Sequence, residues 1–405
     1  MKIVLAPAGS HGDIRPVSLY GKRLREAGHD VVGFAPPESR PWFEHLGIPF
    51  TSNGLNIREL TLHYSRHIVD RPLSSVPVFL SLLRRELKVQ FERLLAFCRG
   101  ADCIIGAGLQ AAGSSVAEYY GVPYRLVIGV PQIIASPDHP PVFWPCPGSP
   151  RAVNYLLWRI DRVAGRLAFG GAVSAYRSSA GLPRRHVYTC VMRRTLLTCY
   201  PAFWRSSTTA DIDLVQCPFW HDSESGEPAA EPRAFVESGN PPVYFGFGSM
   251  PGRNAKATER AIAETVDKTG IRAVVCRGWA GLRETLEHPR IRVIEHADHG
   301  RLFPLCAAVV HHGGAGTTSA AARAGVPQVI VPHLLDQYYW GRKVRELGIG
   351  PRPVPRSRLS AATLTRAVRN VLEDSGIRQR AVELGARLRM RDGLREAVER
   401  FGEWF

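Results

Sequence analysis

The feature that most constrains this chain is a pattern met twice: a short apolar run stops at glycines and opens at once into apolar residues at helical spacing. In the first instance residues 2–6 read as a strand, Gly9-Ser10-His11-Gly12 cannot continue it, and residues 16–28 carry the helical period. Strand-like runs return at 30–35, 103–107 and 125–130. A second series begins at 243–247 and continues through a helix at 255–269, strands at 273–276, 292–295, 307–311 and 328–331, and helices at 317–324 and 337–347. Such alternation predicts α/β architecture with parallel, doubly wound sheets. At 405 residues and 45% hydrophobic content the chain is too long for one core and has apolar material for two. The reading is an N-terminal domain over 1–217, a linker over 218–242, a C-terminal domain over 243–383 and a closing helix over 384–405. The linker is marked by its polar, acidic composition, with Asp222, Glu224, Glu227 and Glu231. Open parallel sheets bind ligands beyond the carboxyl ends of their strands, so both domains are expected to present sites to a central cleft.

The net charge of +16 suits anionic partners, but the excess is nearly all arginine spread along the chain, with six lysines and no block of like charge. That distribution argues against nucleic acid and for anionic small molecules, and it leaves a peripheral membrane contact open. Eight cysteines show neither C-x-x-C spacing nor a paired framework, as expected of reduced thiols in a cytoplasmic protein. The opening apolar run breaks at Pro7 and Gly9, short of a signal-peptide core, and nothing approaches the ~18 continuous apolar residues of a membrane span.

The segment with most chemistry is His311-His312-Gly313-Gly314-Ala315-Gly316-Thr317-Thr318, where a buried strand meets a glycine-rich turn and a helix start. Glycines admit a diphosphate close to the backbone, free N–H groups and the helix dipole favour its charge, and a histidine can donate to a phosphate oxygen. One strand later Asp336-Gln337 opens the next helix, where a carboxylate and an amide can grip sugar hydroxyls, although such a pair alone is more often a cap. At the other end of the chain, Asp13 stands at the opening of the first helix. It is either an N-terminal cap or a base on the cleft side.

The run HHGGAGTT followed by AGVPQVIVPHLLDQYYWG resembles the donor signature of the UDP-glycosyltransferase superfamily, glycosyltransferase family 1, with its GT-B fold of two Rossmann-like domains. The similarity is closest to sterol glucosyltransferases and glycopeptide-antibiotic glycosyltransferases, and it extends to FGFGSMP, LFPLCAAVVHHGG and RAVELGARLRMRDG. The resemblance implies inverting, metal-independent transfer of a sugar from a UDP- or dTDP-sugar to a hydroxyl, with no cofactor beyond that donor. Carried over by position, Gly12, Ser249, His311, Gly313, Gly314, Gly316 and Thr317 belong to the donor site with its diphosphate, Asp336 and Gln337 hold the sugar, and Trp279 and His299 fall where the base and ribose are contacted. The turn around Asp13 resembles a GSRGD turn whose aspartate is the proposed base. His11 stands in place of its arginine as an alternative base or an acceptor ligand.

For the acceptor, Phe79, Phe91, Phe143, Trp144 and Trp158 suggest a lipophilic hydroxyl compound, a natural-product aglycone or a sterol-like molecule. Residues 76–98 read as an amphipathic helix and 131–150 as a proline-rich loop. The pair Asp211 and Asp213 has the D-x-D form of a metal site and is read as part of a surface strand instead. The rivals are a nucleotide-sugar epimerase of the same plan and a silent binding protein. A donor-only incubation separates the first, and the retention of Asp13, His311 and Asp336 counts against the second.

Overall fold

A computed structural model of the chain describes residues 1–54, 87–144, 148–205, 212–221, 230–247, 255–278 and 288–404. The chain divides into two compact units. One comprises Met1–Pro141, Ser149–Trp220 and Asp392–Phe405, and the other Val142–Gly148 and His221–Arg391.

The first unit is built on a seven-stranded sheet of β1 (Lys2–Ala8), β2 (Asp30–Ala35), β3 (Phe50–Ser52), β4 (Cys103–Gly108), β5 (Tyr124–Ile128), β6 (Arg194–Thr198) and β7 (Asp213–Cys217). The order is β3-β2-β1-β4-β5-β6-β7, and every pairing is parallel. Central strands such as β1 and β4 are apolar almost throughout because both faces are covered. On one face Ile3, Leu5, Val31 and Ile105 meet Ile14, Val17, Tyr20 and Leu24 of the helix His11–Glu26, together with Leu394 and Ala397 near the C-terminus. The Tyr20 hydroxyl donates to the Ala397 carbonyl at 3.1 Å, tying the last residues to the first helix.

The second unit carries β8 (Val243–Gly246), β9 (Ala273–Cys276), β10 (Ile291–Ile294), β11 (Ala308–His311) and β12 (Gln328–Ile330), in the order β10-β9-β8-β11-β12, again all parallel. Its sheet is covered on one face by a cluster around Phe245, Val275 and Val310 and on the other by one around Tyr244, Val274 and Val309, as alternation along a strand requires.

Strand order reverses once in each sheet. The chain runs from β1 out to β3 and returns to β4 on the other side of β1. In the second unit it runs from β8 out to β10 and returns to β11. The connections leaving the paired strands then diverge, which opens a crevice beyond their carboxyl ends. Those ends are Ala8 and Gly108 in the first unit and Gly246 and His311 in the second.

Several expectations are revised. The first helix begins at His11, before Pro16 and not at it, so the turn shrinks to Gly9-Ser10 and Asp13 lies in the first helical turn. The reading of a linker from 218 starts too early. Phe219 and Trp220 are buried, and Trp220 packs on Tyr20 with ring centroids 4.5 Å apart, while Ala230–Glu237 is a helix. In place of one closing helix over 384–405 there are Ser375–Arg389, Gly393–Glu399 and Phe401–Trp404, with a break where Asp392 caps the second by accepting from the N–H groups of Leu394 and Arg395. Of the helix expected over 76–98, residues 87–97 are helical and bury Leu87, Phe91 and Leu94, and the part before 87 lies outside the described residues. The 29-residue helix Arg151–Ser179 follows the proline-rich loop. No described helix is long and apolar enough to cross a membrane, and the cysteines Cys98, Cys103, Cys199, Cys217, Cys276 and Cys306 are free.

Candidate functional site

At the first switch point, β1 ends in Ala8, turns at Gly9-Ser10 and enters the helix that carries Asp13. The carboxylate fills the space that two glycines leave. A side chain on Gly9 would lie 2.3 Å from Asp13 Oδ2, and one on Gly108, which has φ +63°, would meet the Ala8 carbonyl at 2.4 Å and Asp13 Cγ at 2.9 Å. Ser10 donates its N–H to Asp13 Oδ2 at 2.9 Å and its hydroxyl at 3.3 Å, so this oxygen is half of a capping box. Both bonds fall on Oδ2, which leaves Oδ1 as the oxygen free of this duty. Burial holds the Asp13 carboxyl above the ordinary carboxylate value, and the two Ser10 bonds pull against that rise. His11 packs edge-on against Trp42, ring centroids 4.1 Å apart. Gly12, assigned to the donor, sits in the same turn, where a side chain would meet nothing closer than Ser10 Oγ at 3.8 Å.

At the second switch point the helix Ala315–Ala324 starts directly after Gly314, its N-terminal cap, and no acidic residue stands in its first turn. Its leading N–H groups have no partner within the helix and point with the positive end of the dipole, an arrangement that suits an anion. Ala315, Gly316 and Thr317 line this turn half-buried. Thr318 is buried, with its hydroxyl donated to the Gly314 carbonyl at 2.9 Å. Gly313 adopts φ +91°, and a side chain on it would strike Ile330 at 2.7 Å and the Gln337 carbonyl at 3.0 Å, so the turn is packed directly against the Asp336-Gln337 segment.

The two histidines stand in different surroundings. His311 is fully buried, accepts the Gly313 N–H on Nδ1 at 3.1 Å and donates from Nε2 to Gln328 Oε1 at 2.9 Å. Both ring nitrogens are engaged within the protein, so this geometry lends no support to His311 as a phosphate donor. Gln328 passes the chain on by donating to the Thr318 carbonyl at 3.3 Å, which ties strand end, turn and first helical turn together. Burial, reinforced by His312, pushes the His311 pKa down to about 3, so the brace is neutral. His312 is the residue at the mouth of the turn. Its Nε2 lies 2.5 Å from where a side chain on Gly314 would begin, and its Nδ1 has no hydrogen-bond partner among the described residues. Burial holds its pKa down at about 4. His333, just past β12, likewise has an unpartnered Nδ1. Its pKa is pushed to about 3 by burial and then by Arg356, and it packs on Phe247 with ring centroids 5.7 Å apart. Buried polar atoms left without partners are uncommon in folded proteins.

The Asp336-Gln337 segment is held under strain. Leu335, 40% exposed, has φ +52°, a conformation that costs a leucine about 1–3 kcal/mol. The loop is clamped there by Gln337, whose Oε1 accepts the N–H groups of His333 at 2.7 Å and Leu334 at 3.2 Å. Gln337 is buried, and its side-chain oxygen serves the loop. Asp336 accepts the indole N–H of Trp340 on Oδ2 at 2.9 Å, which orients the carboxylate at the head of the helix Gln337–Glu346.

Other expected residues are placed less usefully. His299, half-buried, stacks on Phe303 at 4.4 Å and lies edge-on to Tyr244, whose hydroxyl is 3.4 Å from its Nε2. Phe91 is buried against Tyr176, and Trp158 is buried with its indole N–H donated to the His139 carbonyl, so neither is free to meet an acceptor. Phe143 and Trp144 are 64% and 37% exposed. Asp213 takes an ion pair from Arg125 at 3.1 Å, which supports the strand reading of the D-x-D sequence. Ser249, Trp279, Phe79 and Asp211 lie outside the described residues.

A family model described as the erythromycin biosynthesis protein CIII-like C-terminal domain matches residues 274–400. The chain is 32% identical over 377 residues to a vancomycin aglycone glucosyltransferase of Amycolatopsis orientalis, covering 90% of each. It is 31% identical over 425 residues to a sterol 3-beta-glucosyltransferase of Arabidopsis thaliana, covering 99% of this chain and 68% of that one. Among solved structures it superposes on a calicheamicin glycosyltransferase with a TM-score of 0.77 at 17% identity, over 100% of this chain and 98% of the other. It superposes on the glycosyltransferase VinC in complex with dTDP with a TM-score of 0.72 at 18% identity, over 100% and 99%.

Proposed function

Because the chain belongs to the glycosyltransferase family that includes the vancomycin aglycone glucosyltransferase and the sterol 3-beta-glucosyltransferases, we propose that it moves a sugar from a UDP- or dTDP-sugar to a lipophilic hydroxyl compound, an aglycone or a sterol-like molecule. The observation that carries the donor half is the bare helix start at Ala315, with no carboxylate in its first turn and His312 Nδ1 unpartnered beside it. Leading helix N–H groups take the diphosphate, and the one N–H of neutral His312, turned toward the Gly246 backbone in the free chain, is the donor offered beside them. Asp336, on the loop braced by Gln337, binds sugar hydroxyls. The vancomycin-type and sterol relatives supply the acceptor class, and Phe143 and Trp144 are the exposed aromatics offered to it.

The reaction proposed is a single displacement. The acceptor hydroxyl gives its proton to Asp13, its oxygen forms the new bond to the anomeric carbon, and the bond from that carbon to the diphosphate breaks, with inversion. Burial raises the pKa of Asp13, which makes its carboxylate a stronger base than an ordinary one. The negative charge that grows on the departing diphosphate is met by the helix amides and His312, which assigns to the protein the role a metal fills elsewhere.

The test is to incubate the protein with an array of UDP- and dTDP-sugars against lipophilic alcohols and follow product mass. One added sugar residue, with free nucleoside diphosphate appearing in equal amount, is the expected result. A donor altered in the absence of any acceptor would point instead to epimerisation.

A further inference from the structure

The helix Arg151–Ser179 has two apolar faces. Leu157, Trp158, Ala168, Val173 and Tyr176 are packed into the first unit. On the other face Val153, Leu156, Ile160, Val163 and Leu167 recur at alternating steps of three and four and are 42%, 57%, 43%, 59% and 74% exposed. At about 100° per residue these five fall within an arc of about 80° and form a stripe about 21 Å long. Single exposed apolar side chains need no explanation, but a continuous stripe along one helix does. Arg159 and Arg166, both exposed, border it on one side, and Arg162 lies further round, 5.2 Å from the ring of Tyr188. The helix carries five arginines and a single carboxylate, Asp161, which is half-buried and turned toward the packed side.

We propose that this stripe is a docking surface for an anionic phospholipid membrane, with the helix lying along the headgroup boundary. An amphipathic helix of this kind sinks its apolar side chains to the acyl boundary while flanking arginines reach back to lipid phosphates. The formal charge of +16 adds long-range attraction to such a surface. A second copy of the chain is disfavoured as the occupant, because in a pair of such stripes the flanking arginines find no exposed carboxylate on the facing helix to offset them. A small ligand is disfavoured by shape, since it needs a concave site and a helix face is convex.

The experiment is co-sedimentation of the full-length protein with vesicles of phosphatidylcholine and phosphatidylglycerol in equal parts, and with vesicles of phosphatidylcholine alone. Binding to the mixed vesicles is expected, with little to the neutral ones. Changing Arg159 and Arg166 together to Gln lowers the partition about thirtyfold, and the triple change Leu156→Ser, Ile160→Ser, Leu167→Ser brings it to background. Thermal melts by circular dichroism verify folding, and the arginine pair carries the test alone if the triple variant melts early. Equal binding to both vesicle types, or binding unchanged in both variants, overturns the proposal. So does absence of vesicle binding together with a dimer in sedimentation velocity that the variants dissociate, a result that would assign the face to a second copy.

Discussion

The two switch points share a topology and differ in one respect that decides their chemistry. Each lies where a strand order reverses, and each sends a strand through a glycine turn into a helix. The first places a carboxylate, Asp13, in the opening turn of its helix, and the second leaves that turn without any. A helix start that already holds an anion has little left to offer a diphosphate, but it can hold a base. A bare one is an anion site. On the proposed reading, the same fold yields a base in one unit and a donor grip in the other through the residue at a single helical position.

The sharpest way to break this comparison is Asp13→Asn. The amide keeps an oxygen for the Ser10 N–H but cannot take a proton. We expect kcat to fall by about 10² to 10⁴ while donor affinity stays within a factor of about two. The acid limb of the wild-type kcat/KM profile lies above the usual carboxylate range because burial raises the Asp13 pKa. Full turnover by Asp13→Asn would move the base to His11.

Next in size is the brace beneath the donor turn. His311→Leu strands the Gly313 N–H and the Gln328 side chain in a buried place, at a cost of about 1–3 kcal/mol for each unpaired group. Urea denaturation measures the loss. Adding Gln328→Leu recovers part of it, since removing both partners of a buried bond costs less than removing one. A double variant no better than the single would mean that the two side chains act independently.

Gly314→Ala is a finer probe, because its new methyl group meets His312 Nε2. Displacing that imidazole lowers affinity for UDP or dTDP about tenfold, on the scale of one hydrogen bond to a charged group, and calorimetric titration reads the change. An unchanged affinity would remove His312 from the donor site.

The last prediction is the pH dependence of stability, and its sign differs between the two sites. His311, His312 and His333 are held neutral, with values near 3, 4 and 3 against an ordinary 6.5, so the unfolded chain binds protons that the folded one refuses. Their contribution is complete above pH 6.5 and is lost as pH falls below it toward those lower values. Asp13 runs the other way. Its raised pKa favours the folded state at low pH, and that advantage is lost as pH rises through the folded value. Urea midpoints measured from about pH 7 down to about pH 5 should fall in the wild type, and less so in His333→Phe, which retains the aromatic packing on Phe247. Equal slopes in the two proteins would exclude His333 from the effect.

Much of this was legible in the sequence. The alternation of buried strands and amphipathic helices follows from strand and helix periods, so the parallel sheets and both glycine turns could be located before any coordinates. What could not be read was which side chains face inward. His311 ends its strand and His312 begins the turn, and nothing in HHGG says which of the two faces inward. The signal lay in Gln328, a polar residue opening an otherwise apolar strand, which needed a buried partner and found it in His311. Phe91 and Trp158 were offered to the acceptor because aromatic residues look alike in core and pocket. The helix Arg151–Ser179 escaped notice because apolar residues on two of its faces blur the 3.6-residue period, and the same doubled pattern leaves the exposed stripe.

The most direct test of the central claim is calorimetric titration of UDP and dTDP into three proteins: wild type, Asp13→Asn and Gly314→Ala. The account predicts that at least one nucleotide binds the wild type, binds Asp13→Asn equally well, and binds Gly314→Ala about tenfold more weakly. Absence of binding to the wild type, or binding that depends on Asp13 and ignores the turn after His311, would contradict it.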